Sequence, residues 1–163
     1  MKKVLVVMGS DSDLKVMEKC VDRLKSFDIP VEVRICSAHR TPAVAEELAK
    51  NAASNGFGAI IAAAGKAAHL GGVLAAYTTL PVIGVPMATS VMGGMDSLLS
   101  IVQMPKGIPV ASVAIDGADN AAILAAQMLA ISDEALAAKL QQFKAGMASE
   151  VMAKDEKVKA QFA

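Results

Sequence analysis

Short apolar runs alternate along this chain with longer stretches in which apolar residues recur three and four positions apart. Lys3 to Met8, Gly58 to Ala63 and Pro81 to Val85 are nearly continuous apolar runs, the pattern of strands buried on both faces. Pro30 to Cys36 differs, because Val31-Glu32-Val33-Arg34-Ile35 alternates strictly between apolar and charged, as a half-exposed strand does. Pro109 to Ile115 reads as a fifth strand. Between the strands, Asp11 to Phe27 reads as a helix, with Leu14, Met17, Val21 and Leu24 along one face. Thr41 to Asn55 is a second helix, stopped by Asn55-Gly56. A loop from Ala64 to Gly72 precedes a short helix to about Thr79, and a loop from Pro86 to Gly94 leads into a helix from Met95 to Gln103. Ala118 to Ile131 is again helical. Ser132 to Met152 predicts one or two further helices, capped by Ser132, with Leu136, Leu140, Phe143 and Met147 on one face. The charged end, Lys154 to Ala163, is expected to fray.

Five strands alternating with helices predict a three-layer α/β fold, a parallel sheet covered on both faces. The alternating second strand suits a sheet edge, which selects the flavodoxin-like, Rossmann-like order 2-1-3-4-5. At 163 residues the chain fits one domain with a sizeable core. Residues 1–131 form its α/β core and 132–163 a helical extension that packs on the same domain or reaches a neighbour. No repeat, low-complexity tract or linker interrupts it.

Composition narrows the partners. With 16 basic and 16 acidic side chains and no basic block, nucleic acid is not expected to bind. Cys20 and Cys36 belong to no metal-spaced cluster and read as small buried hydrophobes in a reducing, cytoplasmic setting. The apolar run after Met1-Lys2-Lys3 is too short for a signal peptide, and Lys66, His69, Pro81 and Pro86 break the apolar middle, so no membrane span is expected. Hydrophobic residues make up 54% but aromatics only 3%, so the core is built from Ala, Val, Ile, Leu and Met. Ala118 to Ala130 is apolar nearly all round, implying burial on more than one side and hence a homo-oligomer.

Candidate chemistry gathers at strand ends. In a sheet of this order ligands bind beyond the carboxyl ends, at the switch point between strands 1 and 3. Strand 1 ends in Gly9-Ser10-Asp11-Ser12-Asp13, strand 2 in Ser37-Ala38-His39-Arg40 and strand 3 in Gly65-Lys66-Ala67-Ala68-His69-Leu70, so both histidines of the chain share one rim. Each feature also has a plain structural reading. Ser10 can cap a helix whose dipole favours the aspartates, and Thr41 can cap the next, with Pro42 at its first position. His39 can be a satisfied turn histidine, Arg40 a surface ion pair, and His69 a cap or a partner for a backbone carbonyl. Their convergence favours function: Ser10 and free N–H groups for a phosphate, Asp13 for sugar hydroxyls, and a histidine to move a proton. The alanine-rich third loop predicts a dry wall for a ring. No metal cluster and no complete dinucleotide fingerprint is present, so a cofactor-free site for a phosphorylated, ring-bearing metabolite is expected.

At these residues the chain resembles the N5-carboxyaminoimidazole ribonucleotide mutase family of purine biosynthesis. Met8 to Asp13, Ser37 to Pro42, Ala67-Ala68-His69-Leu70, Asp96-Ser97-Leu98, Ser100-Ile101-Val102-Gln103-Met104-Pro105 and Gly107-Ile108-Pro109-Val110 match its pattern, over about residues 3 to 131. The resemblance implies transfer of a carboxylate from the exocyclic nitrogen of the imidazole to ring carbon C4, through trapped CO2. His39 would be the proton shuttle. Ser10, Ser37 and Arg40 would hold the phosphate and Asp13 the ribose, while Gly65, Ala67, Ala68, His69 and Leu70 would line the base and carboxylate. It further implies an octamer with interfacial sites, to which Ser100 to Pro105 would contribute from a neighbour.

Two positions depart from the pattern. Lys66 stands where the family usually has glycine, and Gly71 where proline is common. Lys66 either pairs with the substrate carboxylate or points to solvent, and the solvent orientation is the expectation. The sister carboxylase, which uses free CO2, would carry lysine at Arg40 and a Ser-Asn pair in the third loop. A non-enzymatic flavodoxin-like module would want ring-stacking aromatics or an aspartate after strand 3, where this chain has Ala62-Ala63-Ala64-Gly65.

Overall fold

A computed structural model describes all 163 residues. Five parallel strands, β1 (Lys3–Met8), β2 (Val31–Ile35), β3 (Phe57–Ala64), β4 (Val82–Pro86) and β5 (Ala111–Ser112), pair in the order β2-β1-β3-β4-β5. The order and the edge position of β2 are those its alternating pattern predicts.

The central strands are apolar on both sides because each side meets helices. Val4, Val6 and Met8 of β1, with Ala59, Ile61 and Ala63 of β3, face α1 (Leu14–Ser26) and α5 (Ala118–Ala130). Leu5 and Val7, with Ile60, Ala62 and Ala64, face α2 (Pro42–Ala52), α3 (Leu70–Tyr77) and α4 (Met95–Val102). Alanines bring the layers close: Ala45, Ala49 and Ala52 of α2, and Ala118, Ala121, Ala122, Ala125 and Ala126 of α5, are all buried. That is how a core with almost no aromatics packs densely.

Several local expectations are corrected. The strand expected over Pro109 to Ile115 is ladder-paired only at Ala111 and Ser112, against Ile83 and Gly84. Pro109 has no N–H to give, and Asp116, at φ 55°, turns the chain away beyond. The C-terminal segment is one helix, α6 (Glu134–Phe162), capped by Asp133 rather than Ser132. The Asp133 carboxylate accepts from Leu136 N–H at 3.0 Å, whereas the Ser132 hydroxyl turns back to the Leu129 carbonyl. The last ten residues, expected to fray, stay helical to Phe162, with Lys159 paired to Asp155 at 2.7 Å and Glu156 at 2.9 Å. The first half of α6 lies on its own chain: Leu136 is buried, and Phe143 meets Phe27 edge-on at 5.5 Å.

The all-round apolarity of α5 is answered within the chain, since α1, α6, β3 and β4 all pack against it. Uncovered apolar side chains lie elsewhere, among them Val91, Met92, Met95, Leu99 and Val102 on α4 and the loop before it, and Met147, Val151, Met152, Val158 and Phe162 on α6. No helix is long and apolar enough to cross a membrane.

Candidate active site

The loops following β1, β2, β3 and β4 enclose a cleft of about 660 Å³, within the range of small-molecule sites. Of the ten residues singled out from sequence, Ser10, Asp13, Ser37, His39, Arg40, Gly65, Ala67, His69 and Leu70 line it. Ala68 does not. Its side chain is buried in the core between the sheet and α2 and α3, because loop residues 67 and 68 point in opposite directions.

The loop after β1 opens a single 3-10 turn at Asp11–Asp13, where the Ser10 hydroxyl accepts from Ser12 N–H at 3.3 Å. Ser10 is thus a cap as well as a lining residue. Asp13 is nearly buried, and burial pushes its carboxyl above the usual carboxylate range.

The loop after β2 is held by its own side chains. Thr41 makes no side-chain cap on α2; its hydroxyl instead donates to the Ser37 carbonyl and accepts from Ser37 N–H, both at 3.0 Å. Pro42 takes the first position of α2, as expected. The Ser37 hydroxyl accepts from the Arg40 backbone N–H at 3.2 Å and from Arg40 Nε at 3.3 Å, which sets the guanidinium beside the cleft.

His69 neither caps α3 nor bonds a backbone carbonyl. Its Nδ1 lies 2.8 Å from Nε2 of His39, with the rings nearly perpendicular at 86°. One of these nitrogens must donate and the other accept, so the bond survives with both rings neutral or with one extra proton on the pair. A second extra proton would put N–H against N–H and break it.

One feature escaped the sequence reading. Met87, Ala88, Thr89 and Ser90, after β4, also line the cleft. The order 2-1-3-4-5 already places this loop on the same rim, and its Thr-Ser pair was the available signal. Asp116 accepts from Ala88 N–H at 2.9 Å, and Thr89 donates to Asp96 at 2.8 Å. Lys66, singled out in the sequence and expected to point to solvent, is exposed and stands on the wall of the cleft. Its backbone has φ 57°, and Ser97 and Ser100 of α4 bind its N–H and carbonyl at 3.0 and 3.3 Å. Ser100 thus serves its own chain's loop.

Both cysteines are buried, and burial pushes the Cys20 thiol up to about 12. No group of three or more His, Cys, Asp or Glu is placed to hold a metal ion.

The switch-point cleft, with an unpaired arginine beside a serine and a histidine pair on its wall, marks an α/β protein with the shape of a small-molecule site. A model of the AIR carboxylase family matches residues 3–150, and the chain belongs to that family. The match runs past α5 into α6. A protein of Methanocaldococcus jannaschii named N5-carboxyaminoimidazole ribonucleotide mutase is 53% identical, covering 98% of this chain and 99% of its own. One of Thermotoga maritima with the same name is 52% identical over 97% of this chain and 92% of its own. Among solved structures, PurE of Treponema denticola is 29% identical, with a TM-score of 0.86 over 94% of this chain and 96% of that one.

Proposed function

We propose that this chain is an N5-carboxyaminoimidazole ribonucleotide mutase of purine biosynthesis, an isomerase, with His39 as its proton shuttle. The observation that carries the reading is the His39–His69 pair at 2.8 Å on the wall of the cleft. Near-full-length identity of 52–53% with proteins of that name supports it.

The carbon–nitrogen bond of the N5-carboxylate breaks, its electron pair returns to nitrogen, and CO2 departs. His39 gives that nitrogen its proton. Ring carbon C4 then attacks the CO2, forming the carbon–carbon bond, and the C4 proton passes to His39. Proton and electrons balance over the cycle, so the reaction as written needs neither an oxidant nor a net acid. His69, bonded to the far side of the ring, holds the His39 tautomer. Ser10, Ser37 and Arg40 hold the phosphate and Asp13 the ribose, while Gly65, Ala67, His69 and Leu70 form the wall of the base and carboxylate. Ala68, buried in the core beneath, supports this loop from outside the cleft. Apolar Ala67, Leu70 and Met87 keep water from the released CO2.

The protein works as one cytoplasmic domain within a homo-oligomer, with an octamer as the assembly, and the uncovered apolar residues of α4 support association.

Two mixtures test the reaction: N5-carboxyaminoimidazole ribonucleotide at low bicarbonate, and aminoimidazole ribonucleotide with excess CO2. The first turns over fast and the second slowly, while His39→Asn loses about 10²–10⁴-fold or more. Preference for the second mixture would make the chain the carboxylase instead. Product from neither would leave only a binding module.

A further inference from the structure

Lys66 is hard to explain as scaffold. A lysine at φ 57° sits in the left-handed region, which L-residues other than Asn and Asp rarely adopt. Glycine adopts it freely. Nothing in the packing explains the lysine, because the side chain is exposed and forms none of the ion pairs of the molecule. Yet the backbone there is held firmly. Ser97, fully buried, accepts from Lys66 N–H and donates to the Met87 carbonyl at 2.8 Å, and the Lys66 carbonyl accepts from Ala68 N–H at 2.9 Å. A strained residue clamped at both ends on the wall of a cleft is the signature of a side chain aimed for use.

The position suggests the use. Arg40 follows β2 and Lys66 follows β3, on either side of β1, so their loops start about 10 Å apart, two strand spacings. Arg40 also borders the neighbouring depression formed by the loops after β1 and β2, together with Ser10 and Ser37; Lys66 does not. The cleft therefore has a cation toward each end, with the histidine pair on its wall. A ribonucleotide carrying a carboxylate has two anionic groups, one at each end.

We infer that the Lys66 ammonium is the counter-ion of the substrate carboxylate and makes the cleft select carboxylated over uncarboxylated ribonucleotides. The inference rests on the function proposed above and deepens it. Arg40 answers the phosphate, which both ribonucleotides share. Lys66 answers the group that only one of them has.

The test is titration and turnover of wild type, Lys66→Met, Lys66→Gly and Lys66→Arg with N5-carboxyaminoimidazole ribonucleotide and with aminoimidazole ribonucleotide. Lys66→Met removes the charge at nearly constant length, and Lys66→Gly also relieves the backbone, so at least one neutral variant folds. Both neutral variants raise KM for the carboxylated ribonucleotide about tenfold, the scale of one charge-assisted hydrogen bond in a solvent-open cleft. Both leave the affinity for the uncarboxylated one within about twofold, and Lys66→Arg restores the selectivity. Equal affinity changes for both ribonucleotides, or none for either, would overturn the inference. A wild-type protein that binds both without interconverting them would sink the reaction but leave the selectivity of Lys66 readable in the same titrations.

Discussion

Asp13 sits where binding and stability pull against each other. Its carboxyl is nearly buried and raised above the ordinary 3.8 by desolvation, although the Ser10 backbone and the Ser12 hydroxyl partly compensate. A raised pKa means that the folded protein holds the proton more tightly than the unfolded chain. The protonated form therefore favours folding below 3.8, and that advantage is lost as pH rises through the raised value. Asp13→Asn keeps the shape without the charge. Thermal melts at neutral pH should show the variant more stable than wild type, with the difference vanishing toward acid pH. Its affinity for the ribonucleotide should fall at the same time, because the acceptor for the ribose hydroxyls weakens. A variant that melts lower at neutral pH would contradict the assignment of burial as the dominant cause. The residue types of the rim were legible in the sequence, since Ser10, Asp13, Ser37, His39 and Arg40 all lie just beyond strand ends. Their partners were not, because His39 meets His69 across 30 positions and Lys66 meets Ser97 across 31.

Elements pack here through small residues, and glycine sets the closest approaches. A Cβ on Gly84 of β4 would lie 2.4 Å from Ile101 Cγ2 and 3.1 Å from Val110 Cγ1, so α4 rests directly on that strand. Gly84→Ala should cost about 1–3 kcal/mol in urea unfolding, the usual range for overpacking. Gly71, in the first turn of α3, is the contrast: a Cβ there meets Val110 at 3.5 Å and Ala62 at 3.7 Å, ordinary contacts. Gly71→Ala should gain about 0.5–1 kcal/mol by reducing the freedom of the unfolded chain. Both glycines looked alike in the sequence. Only the neighbouring element, distant along the chain, tells them apart.

The whole molecule leaves apolar side chains uncovered on the outer half of α6, where Val151, Met152 and Phe162 are exposed, and on α4. Met95, Leu99 and Val102 follow one another at helical spacing on the outer side of α4, beside exposed Val91 and Met92. This surface adjoins the loop that Ser97 and Ser100 hold at the cleft. Sedimentation should show a large assembly for wild type and a smaller species for Leu99→Glu. An unchanged sedimentation coefficient would move the interface elsewhere. The sequence led to the same expectation of self-association from a different helix, α5, whose apolar faces its own chain covers.

Strand number, sheet order and the rim that lines the cleft followed from the sequence, because alternation, burial runs and turn residues are local and repeat with the period of each element. Ends of elements were less secure: Asp133 rather than Ser132 caps α6, and β5 pairs over two residues only. These depend on which of several adjacent groups finds a partner. The histidine pair, the loop after β4, the burial of Ala68 and the clamp on Lys66 were decided by tertiary structure alone. Each joins groups far apart in the chain or turns neighbouring side chains to opposite sides, and no periodicity in a linear pattern encodes that.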